Sequence, residues 1–486
     1  MTGPAERPTR ISTTSRPATQ RAIDRAAAAR PIPGNRVALL QDGPAAYGAM
    51  LALIEGATRF IHFENYIIRD DATGWRFAEA LAARARTGLP VRVLYDWLGS
   101  IGTGRAYWRF LRQAGCEVRC FGTPSLIRPL RLIARDHRKL VVADGVRAVV
   151  GGLCIGDEWA GDPARGIPPW RDTAVLIEGP ASHALDLAFA RVWARAGLPL
   201  PEEEHAAEAP AMGDAAVRIV VGEPGKQRAY RVLEYLTAGC RRRLWIVDAY
   251  LVPPARLFEV MALAERDGVD IRLLVPGASD VPLVRNLTRL GYRDILRAGL
   301  RIFEWDGPMI HAKTMVADGR WVRVGTSNLN ASSLVGNYEL DVVIEDPALA
   351  RAMEQQFRRD IAQSSEVVRQ VRRGPAALRG VMPSRLARRG ERGVAGRRRG
   401  RREFRARTVV AARRLVSGAF RSLVGPGILA LAVLGVLFVG LPTVMSYVFG
   451  GICLWFAAVL GLLERLGATE EHAAVARWYE EARARA

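Results

Sequence analysis

The sequence HRKLVVAD occupies residues 137–144, and the sequence HAKTMVAD occupies residues 311–318. Each octet has a histidine, a lysine two residues later and an aspartate at its end, so the pattern His-x-Lys-x-x-x-x-Asp occurs twice. The chain has only six histidines, and one such octet among them could be coincidence. Two octets, each placed late in one half of the chain, indicate a duplicated sequence.

The first three residues of each octet are suited to a phosphate ester. A histidine and a lysine two residues apart on a strand lie on the same face. The lysine can neutralise non-bridging oxygens, and the imidazole can attack phosphorus or protonate a leaving alkoxide. Two octets provide one histidine for each of these tasks.

The sequence between the octets supports the duplication. Residues 46–68 and 229–252 each predict an amphipathic helix followed by an apolar strand, and a second helix–strand unit follows in both halves. Strands that alternate with helices at this spacing predict α/β domains with mixed sheets. Two homologous halves, each with an incomplete site, predict a pseudo-twofold pairing that joins the two histidine strands.

The paired octets and the glycine-containing segments after them, GGLC (151–154) and GTSN (325–328), resemble the phospholipase D superfamily. Four further stretches resemble bacterial cardiolipin synthases in particular. They are IHFENYIIRDDATGW (61–75), VRVLYDWLGS (91–100), WRDTAVLIEGP (170–180) and VGTSNLNASSLVGNYELD (324–341). The resemblance extends over residues 37–365.

The resemblance implies a two-step displacement through a phosphatidyl-histidine, with no metal or cofactor. It implies that His137 is the nucleophile and His311 the acid and base, although the sequence itself treats the two alike. Lys139 and Lys313 would hold the phosphate charge, and Asp172 and Glu339 would orient the histidines. Phosphate contacts are expected from three further residues, which are Asn328, Thr326 and Gly152.

The aspartates that close the octets have a different expected role. Asp144 precedes Gly145, and Asp318 precedes Gly319. Aspartate followed by glycine is typical of turns, because the carboxylate accepts hydrogen bonds from nearby backbone amides. We therefore interpret Asp144 and Asp318 as structural residues of the motif.

Two positions depart from the family pattern. Cys154 stands in the first half where the family has an asparagine, whereas the second half keeps Asn328. A thiol is a weak donor, so one phosphate contact is either lost or supplied by another residue. Ser332 and Ser333 replace an arginine–serine pair of the family, which removes a cation near the second octet.

The net charge of +21 is concentrated near the C-terminus. Residues 366–421 contain 18 arginines against three glutamates, and residues 423–463 contain no charged side chain. A membrane span needs about 20 apolar residues. The apolar stretch therefore predicts two short spans broken near Pro442, or one span with a re-entrant segment; a buried helix hairpin is the alternative.

These observations divide the chain into seven segments. They are a disordered arm (1–36), a first phospholipase D-like domain (37–198), a linker (199–213), a second such domain (214–365), an arginine-rich juxtamembrane segment (366–421), a membrane region (422–465) and a tail (466–486). Arginine next to a span marks the cytoplasmic side. We expect the catalytic domains there, against an anionic membrane surface.

The expected function is cardiolipin synthesis, in which phosphatidylglycerol reacts with a second phospholipid and a small alcohol such as glycerol is released. The second lipid could be phosphatidylglycerol or phosphatidylethanolamine. A hydrolytic phospholipase D that forms phosphatidic acid uses the same motifs. A nuclease of the superfamily and a lipid-binding scaffold are further alternatives, and the uncharged stretch argues against nucleic acid as the partner.

Overall fold

The computed structural model of the chain describes residues 18–124, 134–205 and 209–368, together with Trp455. Apart from Trp455, the membrane region expected at 422–465 lies outside the described residues, as do the tail and nearly all of the arginine-rich segment.

Strands and helices alternate through both halves, as expected for α/β domains. The strands within the described ranges are β1 (Ile32–Gln41), β2 (Ile61–Asn65), β3 (Val91–Asp96), β4 (Glu117–Phe121), β5 (Lys139–Ala143), β6 (Arg147–Gly151), β7 (Thr173–Glu178), β8 (Ala215–Gly222), β9 (Arg243–Val247), β10 (Asp270–Pro276), β11 (Arg301–Trp305), β12 (Thr314–Ala317), β13 (Trp321–Gly325), β14 (Glu339–Glu345) and β15 (Ser364–Val367). The helices there are α1 (Ala18–Ala27), α2 (Asp42–Glu55), α3 (Ala72–Arg86), α4 (Arg105–Gln113), α5 (Asp157–Ala160), α6 (Pro180–Arg195), α7 (Arg228–Gly239), α8 (Ala255–Arg266), α9 (Pro282–Arg297) and α10 (Pro347–Ala362).

The strands form one continuous mixed sheet that extends through both halves. Its order is β15-β11-β10-β9-β12-β13-β14-β8-β1-β7-β6-β5-β2-β3-β4. The two halves have the same strand order when each is followed outward from the centre of the sheet. The first half runs β1-β7-β6-β5-β2-β3-β4, and the second runs β8-β14-β13-β12-β9-β10-β11. The antiparallel pairing of β1 with β8 joins the halves. The matched order is what two homologous halves related by a pseudo-twofold axis produce.

The prediction of a disordered arm over residues 1–36 is wrong for its described part. Residues 18–27 form α1, which packs against α7 of the second half. Ile23 is fully buried, and Asp24 forms an ion pair with Arg218 at 2.5 Å. Residues 32–36 already belong to β1. A single buried isoleucine among alanines gives a weak helical pattern, so composition alone suggested disorder.

Three hydrophobic cores stabilise the sheet. The central core contains α6, α10 and strand residues of both halves. A second core lies under α2 and α3 in the first half, and a third under α7 and α8 in the second half. In β5, Leu140 and Val142 face the central core, whereas Val141 and Ala143 face the outer one. Burial on both faces explains the apolar run of the first octet.

Within residues 18–124, 134–205 and 209–368, no helix is both long enough and apolar enough to cross a membrane.

The aspartates that end the octets stabilise matching turns. Asp144 has a positive φ of 59°, and its carboxylate accepts the backbone amides of Thr58, Arg59 and Phe60 at 2.7–3.2 Å. Burial alone would raise the pKa of Asp144, but these hydrogen bonds outweigh it and hold the pKa below its ordinary value.

Asp318 makes the same turn in the second half. Its φ is 54°, and its carboxylate accepts the amides of three consecutive residues, Arg241 to Arg243, at 2.8–3.0 Å. Both aspartates therefore connect the end of their octet strand to the start of the neighbouring strand, β2 or β9.

We predict that Asp144→Ala lowers the free energy of unfolding by about 1–3 kcal/mol, because three amides lose their acceptor. Urea denaturation at pH 7 measures the loss, and Asp214→Ala, at an exposed aspartate, should change stability by less than about 0.5 kcal/mol. Since the pKa of Asp144 is lowered by folding, its contribution is present above its unfolded pKa of about 3.9 and disappears as the pH falls further. Equal stability of wild type and Asp144→Ala at pH 7 would refute the structural role.

Candidate functional site

The two octet histidines lie at the same edge of the sheet in their respective halves. Lys139 pairs with Asn65, the last residue of β2, and Thr314 pairs with Val247, the last residue of β9. Both histidines therefore lie just beyond the carboxyl end of the neighbouring strand. We call this edge of each half the histidine edge.

Backbone hydrogen bonds connect the two histidine edges. The amide of His137 donates to the carbonyl of Tyr338 at 2.9 Å, and the amide of Tyr338 donates to Arg135 at 2.8 Å. The equivalent bonds run from His311 to Arg171 at 2.7 Å and from Arg171 to the carbonyl of residue 309 at 2.8 Å. Each histidine segment is therefore held by the strand that carries the predicted carboxylate of the other half.

The carboxylates consequently pair crosswise. Nδ1 of His311 lies 2.8 Å from Oδ2 of Asp172, and Nδ1 of His137 lies 3.0 Å from Oε2 of Glu339. Along the chain each acid follows the histidine of its own half. Docking of the halves exchanges the partners, so each half orients the imidazole of the other.

Both carboxylates have additional donors, which the sequence did not reveal. The indole of Trp159 donates to Oδ2 of Asp172 at 3.1 Å, and its ring meets that of His311 edge-on at 5.4 Å. The hydroxyl of Ser333 donates to Glu339. These hydrogen bonds hold the two carboxylates in place, and the carboxylates in turn orient the imidazoles.

Two residues expected to contact phosphate lie against the carboxylates. The hydroxyl of Thr326 donates to Oε2 of Glu339 at 2.5 Å and accepts the amide of Leu340. A Cβ at Gly152 would lie 2.2 Å from Oδ1 of Asp172. Thr326 therefore positions one acid, and Gly152 leaves space for the other.

Both lysines are fully buried beside their histidines, but their contacts differ. Nζ of Lys139 donates to the carbonyl of His137 at 2.6 Å. Nζ of Lys313 donates to the carbonyl of His311 and also lies 2.9 Å from Nε2 of that ring. Burial, together with the charge of Lys139, lowers the pKa of Lys313 to about 8, although Asp172 opposes the shift.

The electrostatics favour neutral imidazoles and ionised carboxylates. Burial and the two lysine charges lower the pKa of His137 and of His311, against the effect of the carboxylates. Burial alone would raise the pKa of Asp172 and of Glu339, but the histidine partners outweigh it and hold both values low. An ionised carboxylate only accepts hydrogen bonds, so Nδ1 carries the proton and Nε2 keeps its lone pair.

Tyrosines at the same position of each half pack against the histidine–lysine pairs. The ring of Tyr66 lies 4.8 Å from that of His137, and Nζ of Lys139 lies 5.0 Å from the Tyr66 centroid. Tyr250 lies 5.9 Å from His311 in the same edge-on orientation. Each octet histidine therefore has a tyrosine ring against it in an edge-on contact.

The halves differ at the asparagine position. Asn328 is buried, and its Oδ1 has no hydrogen-bond partner among the described residues. Cys154 is also buried at the matching position. The first half instead has Asn65, whose Nδ2 lies 3.4 Å from the carbonyl of Leu153. An amide side chain is therefore present beside the first octet, although it comes from β2.

Two further acids, Glu64 and Asp136, are buried next to the first octet. Burial and the charge of Asp136 raise the pKa of Glu64 well above its ordinary value. Burial raises the pKa of Asp136 to about 6. Arg138, between the octet's histidine and lysine, approaches Glu64 at 4.0 Å and donates to the carbonyl of Glu339 at 3.2 Å. This arginine joins the first octet to the second half, a role that its sequence position does not reveal.

Among the described residues, no group of three or more histidines, cysteines and acids is arranged to hold a metal ion.

Comparison with known proteins agrees with this geometry. Residues 235–361 match a family model described as the cardiolipin synthase, PLD-like domain. The chain is 33% identical over 337 residues to the major cardiolipin synthase ClsA of Bacillus subtilis (strain 168), which covers 67% of this chain and 69% of that protein. The chain belongs to the cardiolipin synthase family. Cardiolipin synthase A of Pseudomonas aeruginosa (strain PAO1) is also 33% identical, over 347 residues that form 71% of this chain and 70% of the relative.

A solved structure supports the fold of this cardiolipin synthase family member. The phosphatidylserine synthase of Haemophilus influenzae Rd KW20 superposes with a TM-score of 0.57 over 72% of this chain and 92% of that one. The sequence identity is 16%, so the likeness concerns the fold.

The crosswise pairing predicts which residues depend on each other. In a double-mutant cycle, Asp172→Asn and His311→Ala should show a coupling energy of about 1–3 kcal/mol in unfolding, because they remove one charge-assisted hydrogen bond. The matched control pairs Asp172→Asn with His137→Ala and should give less than about 0.5 kcal/mol. Stronger coupling in the control pair would mean that the acids serve their own halves.

Proposed function

We propose that the chain transfers a phosphatidyl group from one phosphatidylglycerol to the hydroxyl of a second phospholipid, which gives cardiolipin and glycerol. The observation that carries the proposal is the crosswise set of histidine–carboxylate pairs, each with a buried lysine, at the joined histidine edges. The identity to cardiolipin synthases supports the choice of substrate.

His137 is the proposed nucleophile. Nε2 of His311 accepts a hydrogen bond from Lys313 at 2.9 Å, whereas the ammonium group of Lys139 donates to the backbone carbonyl of His137. A lone pair that accepts from an ammonium group is a poor nucleophile. This asymmetry supports the assignment that the sequence resemblance implies.

In the first step, the Nε2 lone pair of His137 attacks phosphorus and the bond from phosphorus to the glycerol oxygen breaks. His311 donates a proton to the departing oxygen, so glycerol leaves as a neutral alcohol. A bound phosphate diester adds negative charge beside His311, which raises its pKa and favours the imidazolium form that this step needs. Lys139 and Lys313 stabilise the charge on the non-bridging oxygens.

In the second step, neutral His311 removes the proton from the incoming hydroxyl. The hydroxyl oxygen attacks phosphorus, the phosphorus–nitrogen bond breaks, and its electron pair returns to Nε2 of His137. A lipid hydroxyl yields cardiolipin, whereas water yields phosphatidic acid. The aromatic rings of Tyr66, Trp159 and Tyr250 around the histidines favour exclusion of water.

The proposed location is the cell membrane, with the catalytic halves on the cytoplasmic side. The arginines of residues 366–421 would lie against anionic headgroups, and residues 422–465 would enter the bilayer.

We predict that purified wild-type protein in detergent converts radiolabelled phosphatidylglycerol to cardiolipin, and that His137→Ala and His311→Ala each lower the rate at least about 10³-fold. Quenching in SDS at mildly alkaline pH, which preserves the acid-labile phosphorus–nitrogen bond, should leave labelled phosphatidyl-histidine on wild type but not on His137→Ala. His183→Ala is the matched control, because His183 lies on α6 outside the histidine edges, and it should keep full activity. If phosphatidic acid is the sole product, the protein is a hydrolytic phospholipase D and the proposed transferase activity is wrong.

The lowered pKa of Lys313 predicts an alkaline limit. Deprotonation removes the positive charge that binds phosphate, so kcat/KM should fall as the pH rises through about 8. Lys313→Arg keeps its charge to higher pH and should move the limit upward, whatever its effect on the maximum rate. Rates measured from pH 6 to 10 test this. If the alkaline limit is unchanged in Lys313→Arg, the loss of activity arises from the deprotonation of another group.

A further inference from the structure

Helix α9 exposes a row of leucines on its outer face. Leu283 is 70% exposed, Leu290 is 76% exposed, and Leu287 between them is 45% exposed. Positions 283, 287 and 290 are four and three residues apart, so these side chains form one stripe, which we call the leucine row. The opposite side of the helix is buried through Thr288, Tyr292 and Ile295. The face that the helix turns away from the protein therefore carries an apolar stripe among polar residues.

The leucine row begins beside the proposed active site. Strands β9 and β10 are parallel, so the residues that follow them leave the sheet at the histidine edge. Asp280, two residues before α9, accepts hydrogen bonds from the hydroxyl of Tyr250 at 2.8 and 2.9 Å. The ring of Tyr250 in turn contacts His311. Two contacts thus connect the start of α9 to a histidine of the site.

Exposed apolar residues also follow the matching strand of the first half. Leu98 and Ile101 lie in the loop after β3 and are 46% and 64% exposed. Strand β3 is parallel to β2, so this loop leaves the sheet at the first histidine edge. Large apolar side chains are therefore exposed at the histidine edges of both halves. Such concentrations on a protein surface mark interaction sites.

The charges around the leucine row complement an anionic surface. Arg289, Arg293 and Arg297 are exposed on α9. Asp294 is the one acid within the helix and pairs with Arg297 at 3.3 Å, while Glu304 pairs with Arg289 at 2.8 Å. An apolar stripe flanked by arginines is typical of helices that lie in the headgroup region of a bilayer.

We propose that the leucine row of α9 docks onto the surface of a phospholipid bilayer with anionic headgroups and inserts among the lipids at the histidine edge. This inference rests on the proposed function, because a lipid phosphodiester must reach the buried histidines from the membrane. Docking at the histidine edge lets a phospholipid enter the site laterally without leaving the bilayer. The arginines along α9 attract anionic headgroups to this face of the helix.

The first test is surface-dilution kinetics with the full-length chain in detergent micelles that contain phosphatidylglycerol. The triple variant Leu283→Asn, Leu287→Asn and Leu290→Asn should raise the phosphatidylglycerol mole fraction at half-maximal rate about tenfold. Its rate at saturating mole fraction, and its rate on water-soluble short-chain phosphatidylglycerol, should stay within about twofold of wild type. Leu198→Asn is the matched control, because Leu198 is 78% exposed and lies outside α9. A triple variant with unchanged half-saturation overturns the proposal.

The second test identifies what covers the leucine row. A photo-crosslinking phenylalanine analogue at position 290, irradiated in phosphatidylglycerol vesicles, should form lipid adducts several times more often than the same analogue at position 198. Adducts to residues 423–463, or to a second copy of the chain, would overturn docking on lipid. Equal lipid labelling at both positions would overturn it as well. If wild type forms no lipid product in either assay, the proposed function fails, and this crosslinking still reports separately on docking.

Discussion

The crosswise histidine–carboxylate pairs are the interaction on which the rest of the molecule depends. Asp172 serves His311, and Glu339 serves His137, so neither octet histidine takes its carboxylate from its own half. Catalytic groups must be held to within about 0.5 Å, which loosely associated domains would not maintain. The continuous sheet through β1 and β8 and the backbone bonds between the histidine edges supply that rigidity. The duplicated fold is therefore a requirement of the site, since two incomplete halves build two oriented imidazoles only when they are docked.

Burial of the charged groups around the histidines strengthens their electrostatic interactions, but removing charges from water costs free energy. Lys139, Lys313, Asp172 and Glu339 are almost inaccessible to water, and isolated charges in such surroundings would be strongly destabilising. The two cations and two anions balance one another around the neutral imidazoles. A phosphodiester that enters adds a negative charge to this balanced set, which shifts the histidines toward their protonated forms. His311 therefore becomes a proton donor only when the negative charge of the bound phosphodiester favours its imidazolium form.

The sequence predicted the parts of the site that are local in the chain. The octets pointed to both histidines and both lysines, because residues two positions apart stay close in space. The alternation of helices and strands predicted the two α/β halves. The exchange of carboxylate partners was not predictable, because it depends on how the two halves dock. The same limit applies to Arg138, whose contact with the carbonyl of Glu339 joins the two halves. Trp159 and Ser333 lie within 13 residues of the acids they contact, but their sequence positions do not show that they donate to those acids. The N-terminal helix was missed because its burial is provided by α7, a long-range neighbour that composition does not report.

The remaining differences between the halves follow from the chemistry of two unlike steps. A symmetric site would hold two equivalent imidazoles, yet one must attack phosphorus while the other exchanges protons. The lysines break the symmetry, since Lys313 reaches Nε2 of its histidine and Lys139 reaches the backbone carbonyl. The amides break it too, since the second half uses Asn328, whereas the first half has Cys154 and brings an amide from β2 through Asn65. Duplication supplied two halves with the same strand order, and each imidazole is held by a carboxylate of the opposite half. Because the imidazoles are already oriented, small differences in the neighbouring lysines and amides are sufficient to give the two histidines different tasks.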